Sequence, residues 1–146
     1  MAEETAGTRL TIGELASRTG VATSALRYWE QLGLLPAPDR VSGQRRYPSS
    51  AVVLVGEIVL LRDVGFTLRE ITELRTLRTS AAVGWRELHE RKLAELDERI
   101  AHMRAARTAI AHGLACPHDD IHDCPTFARG IAALLAGATL EQAHGH

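Results

Sequence analysis

Polar and apolar positions alternate along this chain in short helical periods, each bracketed by a start and a stop signal. Thr11-Ile-Gly-Glu14 reads as a capping box, and Leu15 and Ala16 form the apolar face of a short helix that stops at Gly20. Val21 then fills a turn and Thr23 is placed to cap a second helix. Ala25, Leu26 and Trp29 recur in it at helical spacing before Gly33 ends it. Two short helices joined by a glycine-containing turn make a helix-turn-helix.

Leu34 to Tyr47 carries Pro36, Pro38 and Gly43 between short apolar pieces, which predicts a small hairpin, the candidate wing. Ser49 or Ser50 can cap a third helix from Ala51 to about Val64, and its apolar run Val52 to Val55 predicts deep burial. Gly65 terminates that helix. Thr67-Leu-Arg-Glu70 is a second capping box and starts a helix expected to run through Leu74. From Trp85 to Leu114 no glycine or proline appears until Gly113. Leu93, Leu96, Ile100, Met103, Arg107, Ile110 and Leu114 recur there at spacings of three and four, which is a coiled-coil seam. The dimerisation residues are therefore Leu93, Leu96, Ile100, Met103 and Ile110; an antiparallel pair is expected, although spacing alone does not set the orientation. A short Ala/Leu-rich helix from about Pro125 to Leu135 precedes a His-tipped tail expected to be disordered.

The fold class that follows is mainly α: a winged helix-turn-helix with a small β wing, a long dimerisation helix and a short C-terminal helix. Expected boundaries are a disordered tail at 1-8, a DNA-binding domain at 9-78, a linker and dimerisation helix at 79-114, and a polar cysteine loop, short helix and tail at 115-146, the loop being where the resemblance described below implies effector binding. A chain of 146 residues, 45% hydrophobic, suffices for one compact domain plus an appendage. No apolar run approaches the length of a membrane span and the start is acidic and polar, so the expected location is the cytoplasm, with no membrane partner.

A formal net charge of -1 is not the footprint of a nucleic-acid binder, but the local balance differs. Between Arg9 and Tyr47 the cations Arg9, Arg18, Arg27, Arg40, Arg45 and Arg46 face only Glu14, Glu30 and Asp39, and all are the phosphate-forking arginine. Arg27 and Tyr28 are placed to reach the major groove or its phosphates, and Arg45 and Arg46 sit on the wing. Arg18, Thr23, Arg40 and Tyr47 complete the candidate DNA-binding set. Tyr47, like Trp29, also reads as a core residue.

Glu14-Leu-Ala16, Gly20-Val21, Leu26-Arg-Tyr-Trp-Glu30, Gly33-Leu-Leu35, Pro38-Asp-Arg40, Arg45-Arg-Tyr47, Gly65-Phe66 and Ile71 together resemble the DNA-binding domain of the MerR family. The resemblance spans the first half of the chain. It implies a winged helix-turn-helix, a homodimer joined by a long antiparallel coiled coil, and an effector site at the far end of the coil. It also implies a pseudo-palindromic operator in double-stranded promoter DNA, which the activated dimer distorts to realign the elements read by RNA polymerase, an indirect partner. Gln44 stands where the family often has an aromatic residue, and Trp29 where it often has Tyr.

Both cysteines of the chain, Cys116 and Cys124, lie in Cys116-Pro-His-Asp-Asp-Ile-His-Asp-Cys124-Pro. In a reducing compartment a close pair points to metal or redox chemistry. Seven residues between cysteines, each followed by Pro, resemble the copper-sensing, CueR-like branch of MerR proteins, which implies Cu(I) or Ag(I) held by two thiolates. Soft monovalent ions favour thiolates and tolerate two ligands, whereas Zn(II) wants four. His118 and His122 lie between the cysteines and could complete a zinc site, or they could be solvated loop residues. A reversible Cys116-Cys124 disulfide would make the chain a redox sensor instead. The pairs His118-Asp119 and His122-Asp123 superficially resemble metal-dependent phosphohydrolases. Such enzymes need ligands from several helices around a pocket too large for this chain, so no enzymatic activity is expected.

Overall fold

The computed structural model describes residues 9–79 and 84–144. The expected disordered tail at 1-8 and residues 80–83 of the expected linker and dimerisation helix (79-114) lie outside the described residues. Helices α1 (Ile12–Thr19) and α2 (Thr23–Gln31) are followed by strands β1 (Asp39–Val41) and β2 (Gln44–Arg46), then by α3 (Ala51–Asp63), α4 (Leu68–Thr79) and α5 (Gly84–Ala115). A 3-10 turn (Ile121–Asp123), α6 (Pro125–Leu135) and α7 (Leu140–His144) complete the chain.

Local chemistry explains the boundaries of the first helices. The Thr11 side chain accepts from the Glu14 N–H and the Glu14 carboxylate accepts from the Thr11 N–H, so two of the four orphan donors at the start of α1 are satisfied. Gly20 closes that helix in the left-handed conformation, φ 71°. The Thr67/Glu70 pair repeats the capping box ahead of α4. Ser42 and Gly43 both take positive φ (51° and 77°), the signature of the two-residue turn whose twist matches a hairpin. They set the register Asp39↔Arg46, Arg40↔Arg45 and Val41↔Gln44. Leu10 and Tyr47 exchange backbone hydrogen bonds of 2.7 and 2.8 Å, which fastens the base of the hairpin to the entry of α1.

One apolar core joins these pieces. Leu15 of α1, Leu26 and Trp29 of α2, Leu34 and Leu35 after it, Val55 and Ile58 of α3, and Ile71 and Leu74 of α4 are buried together with Tyr47, Phe66 and Leu88. Close contacts divide the chain into two compact units at Leu88/His89, inside α5, so the core and wing belong to the first unit. The second unit contains the rest of α5 with α6 and α7.

Five expectations change. Thr23 does not cap α2: Ala22 holds that position without a side-chain bond, and Ser50 likewise leads into α3 without one. The run Val52 to Val55 is not buried throughout, because a helix turns 100° per residue: Val55 is fully buried, Val52 and Leu54 pack partly against the core, and Val53 stays 74% exposed. Helix α4 continues past Leu74 to Thr79. Residues Leu140–His144 of the tail form α7, because Thr139 and Gln142 cap it reciprocally, the Thr139 N–H donating to Gln142 Oε1 and the Gln142 N–H to Thr139 Oγ1, while residues 145–146 lie outside the described residues.

Candidate functional site

The residues expected to meet DNA lie in the first unit. Arg18, Arg27 and Arg40 are exposed, Tyr28 is 51% exposed, and Thr23 is half-buried at the first turn of α2. The wing arginines are less free. Arg45 Nε lies 3.6 Å from the Glu30 carboxylate, and Arg46 donates to Gln44 Oε1 at 3.2 Å. Tyr47 is corrected as a DNA contact: it is fully buried and its hydroxyl donates to Glu30 Oε2 at 2.8 Å, so the core reading holds. Burial and the Glu30 carboxylate push its phenol up to about 12. Glu30 thus joins α2 to the wing, a role the sequence reading did not assign to it. Arg9 pairs with Asp39 across the start of the wing.

The seam residues of α5 are largely uncovered in the single chain. Leu93, Ile100, Met103 and Ile110 are 61%, 46%, 71% and 72% exposed, and Leu96 is half-buried.

The second unit gathers three donor groups at the end of α5. His112 and Cys116 stand one helical turn apart on α5 and the loop after it, and Cys124 returns at the start of α6. One donor atom from each lies within 4.8 Å of the others, and His112 Nε2 is 3.2 Å from Cys124 Sγ. Cys124 is buried while Cys116 and His112 are partly accessible, and both thiols are free. Cys124 also occupies the N-cap of α6, with Pro125 in the first turn. The thiol is lowered to about 6, chiefly by the Phe127 backbone N–H and then by the His112 ring, with burial opposing. Helix N-termini and histidine neighbours are the usual causes of a thiolate at neutral pH. The loop histidines do not join this group. His118 and His122 are exposed, and His122 sets its ring edge-on to Phe127 at 6.2 Å. His112, which spacing to Cys116 could have flagged, takes the place beside the cysteines.

Residues 10–77 match the MerR HTH family regulatory protein profile and residues 55–113 the profile described as MerR, DNA binding. The mercuric resistance operon regulatory protein of Bacillus cereus is 32% identical over 120 residues, covering 78% of this chain and 91% of that protein. The HTH-type transcriptional regulator CueR of Salmonella typhi is 36% identical over 126 residues, covering 80% of this chain and 88% of that one.

The chain belongs to the MerR family.

Among MerR structures, the transcription regulator PbrR691 from Ralstonia metallidurans CH34, in complex with lead(II), superposes with a TM-score of 0.59 at 28% identity, covering 79% of this chain and 94% of that one. As a MerR protein the chain is a dimeric, DNA-binding transcription regulator and not an enzyme. Its relatives include metal-responsive regulators. No helix among the described residues is long and apolar enough to cross a membrane.

Proposed function

We propose that this regulator senses a soft monovalent metal ion, Cu(I) or Ag(I), through Cys116 and Cys124, and activates transcription by distorting promoter DNA. The observation that carries the reading is the meeting of the two thiols at the end of α5, one of them buried and held toward its thiolate form. The donor set suits such an ion: soft thiolates in a partly dry site favour Cu(I), and a full zinc shell of four protein donors is not gathered among the described residues. The ion would act as the signal, tying the loop 117–123 to the start of α6. Ordering a polar loop costs backbone entropy, which metal-thiolate bonds offset.

The exposed seam of α5 supports pairing of two copies as an antiparallel coiled coil in the cytoplasm, each copy presenting one wing to half of a pseudo-palindromic operator. Arg18, Thr23, Arg27, Tyr28, Arg40, Arg45 and Arg46 are the proposed contacts, mainly to phosphates, so specificity would rest largely on DNA shape.

The deciding experiment is run-off transcription from the cognate promoter with Cu(I), Ag(I) or Zn(II) under strictly anaerobic, reducing conditions. Induction by the monovalent ions, abolished in Cys116→Ser and Cys124→Ser while operator affinity is kept, is the expected result. Induction by Zn(II) alone would transfer the site to a divalent ion. Induction by oxidant without metal would establish the Cys116-Cys124 disulfide as the switch.

A further inference from the structure

We infer that His112 is a third metal ligand, so that the ion rests on two sulfurs and one imidazole nitrogen; this rests on the two-cysteine reading proposed above.

Three observations carry the inference. His112 precedes Cys116 by four residues at the end of α5, a spacing that sets two side chains on one helix face. Its Nε2 already touches Cys124 Sγ at 3.2 Å, and all three donors lie within 4.8 Å. Donors that share an ion at about 2.0 to 2.3 Å can stand at most about 4.6 Å apart, so a shift of a few tenths of an ångström seats the ion. Finally, His112 is supplied by a long helix, whereas both candidate histidines of the loop, His118 and His122, are exposed and lie outside the group. An imidazole fixed to a helix costs less to order around an ion than one carried on a loop.

The chemical consequence is a coordination number of three. Cu(I) accepts a third donor. Zn(II) would still need a fourth ligand from water or elsewhere, since no fourth Cys, His, Asp or Glu joins the group among the described residues. A neutral imidazole also adds a bond without adding a third negative charge to a partly buried site.

Full-length protein loaded anaerobically with Cu(I) against a competing chelator tests this by X-ray absorption and by affinity. The expected spectrum has two sulfur scatterers and one nitrogen. His112→Ala should lose the nitrogen shell and weaken Cu(I) binding by at least about tenfold, since loss of even an outer-shell partner of a metal ligand costs that much. His112→Gln should match His112→Ala, because an amide can replace a hydrogen bond to sulfur but is a poor ligand for a soft ion. A spectrum with sulfur only, or recovery of wild-type affinity in His112→Gln, overturns the inference and leaves His112 as a hydrogen-bonding neighbour of Cys124, with the two-cysteine site intact. A wild type that takes up no Cu(I), or a Cys116→Ser/Cys124→Ser protein that binds it equally well, fails the two-cysteine reading and this inference with it.

Discussion

The Tyr47 hydroxyl, at the end of the wing, donates a 2.8 Å hydrogen bond to the Glu30 carboxylate on the second helix, and the same carboxylate faces Arg45 Nε at 3.6 Å. One acidic side chain therefore holds the hairpin against the recognition helix. Tyr47→Phe keeps the ring and removes the bond, and should cost about 1.5 to 3 kcal/mol, the usual worth of a hydrogen bond to a charged partner. The pH dependence has a definite sign. Tyr47 titrates near 12 in the fold against an ordinary value of 10.0, so the native state keeps a proton that the unfolded chain has lost. Its contribution is complete below pH 10 and declines as pH rises from 10 toward 12. Denaturant titrations at pH 9 and pH 11 should show a steeper loss for wild type than for Tyr47→Phe; equal losses would refute the coupling.

Salt dependence separates the arginines. Arg27→Ala, on the exposed face of α2, should weaken operator binding and lower the magnitude of the log K against log salt slope by about one. Arg45→Ala should change the slope by less, because Glu30 already offsets part of its charge. Fluorescence anisotropy over a salt series measures both, and an Arg45 effect exceeding that of Arg27 would contradict this docking face.

Dimer formation is tested on the seam. Leu96→Asp with Ile100→Asp places two carboxylates on the apolar stripe of α5 and should give monomers by sedimentation, with operator affinity falling by orders of magnitude as half of the phosphate contacts are lost. A dimer of unchanged stability would move the interface elsewhere.

For the loop, His118→Ala with His122→Ala should leave Cu(I) affinity within about twofold of wild type, since neither ring joins the three-donor group. Loss of response together with loss of zinc binding in this variant would instead make the loop histidines ligands.

How far these features were legible depends on whether the deciding physics is local. The Thr11/Glu14 and Thr67/Glu70 boxes are readable because three residues of chain contain both donors and both acceptors. Thr139/Gln142 follows the same grammar and was obscured only by the polar, His-tipped surroundings. Burial within α3 was not legible, since an uninterrupted apolar run such as Val52 to Val55 names no face; packing alone turns Val53 outward. The seven-residue cysteine spacing marked the loop whose two thiols meet. His112 was hidden inside a helix read for its seam, while His118 and His122 drew notice by their place between the cysteines. Proximity along a polar loop does not set the direction of a side chain, whereas one turn of helix does.

Cys124 is both a sulfur of the three-donor group and the N-cap residue of α6, and the next residue, Pro125, has its φ fixed by its ring. No compliant spacer lies between the sulfur and the helix it begins. On the two-cysteine reading proposed above, a displacement of that sulfur by a fraction of an ångström would pass directly to the start of an eleven-residue helix whose Ile131, Leu134 and Leu135 side chains are uncovered along it. On that same reading, one glycine inserted after Cys124 would keep every donor atom yet uncouple the ion from the helix, so that metal binding would persist while the transcriptional response is lost.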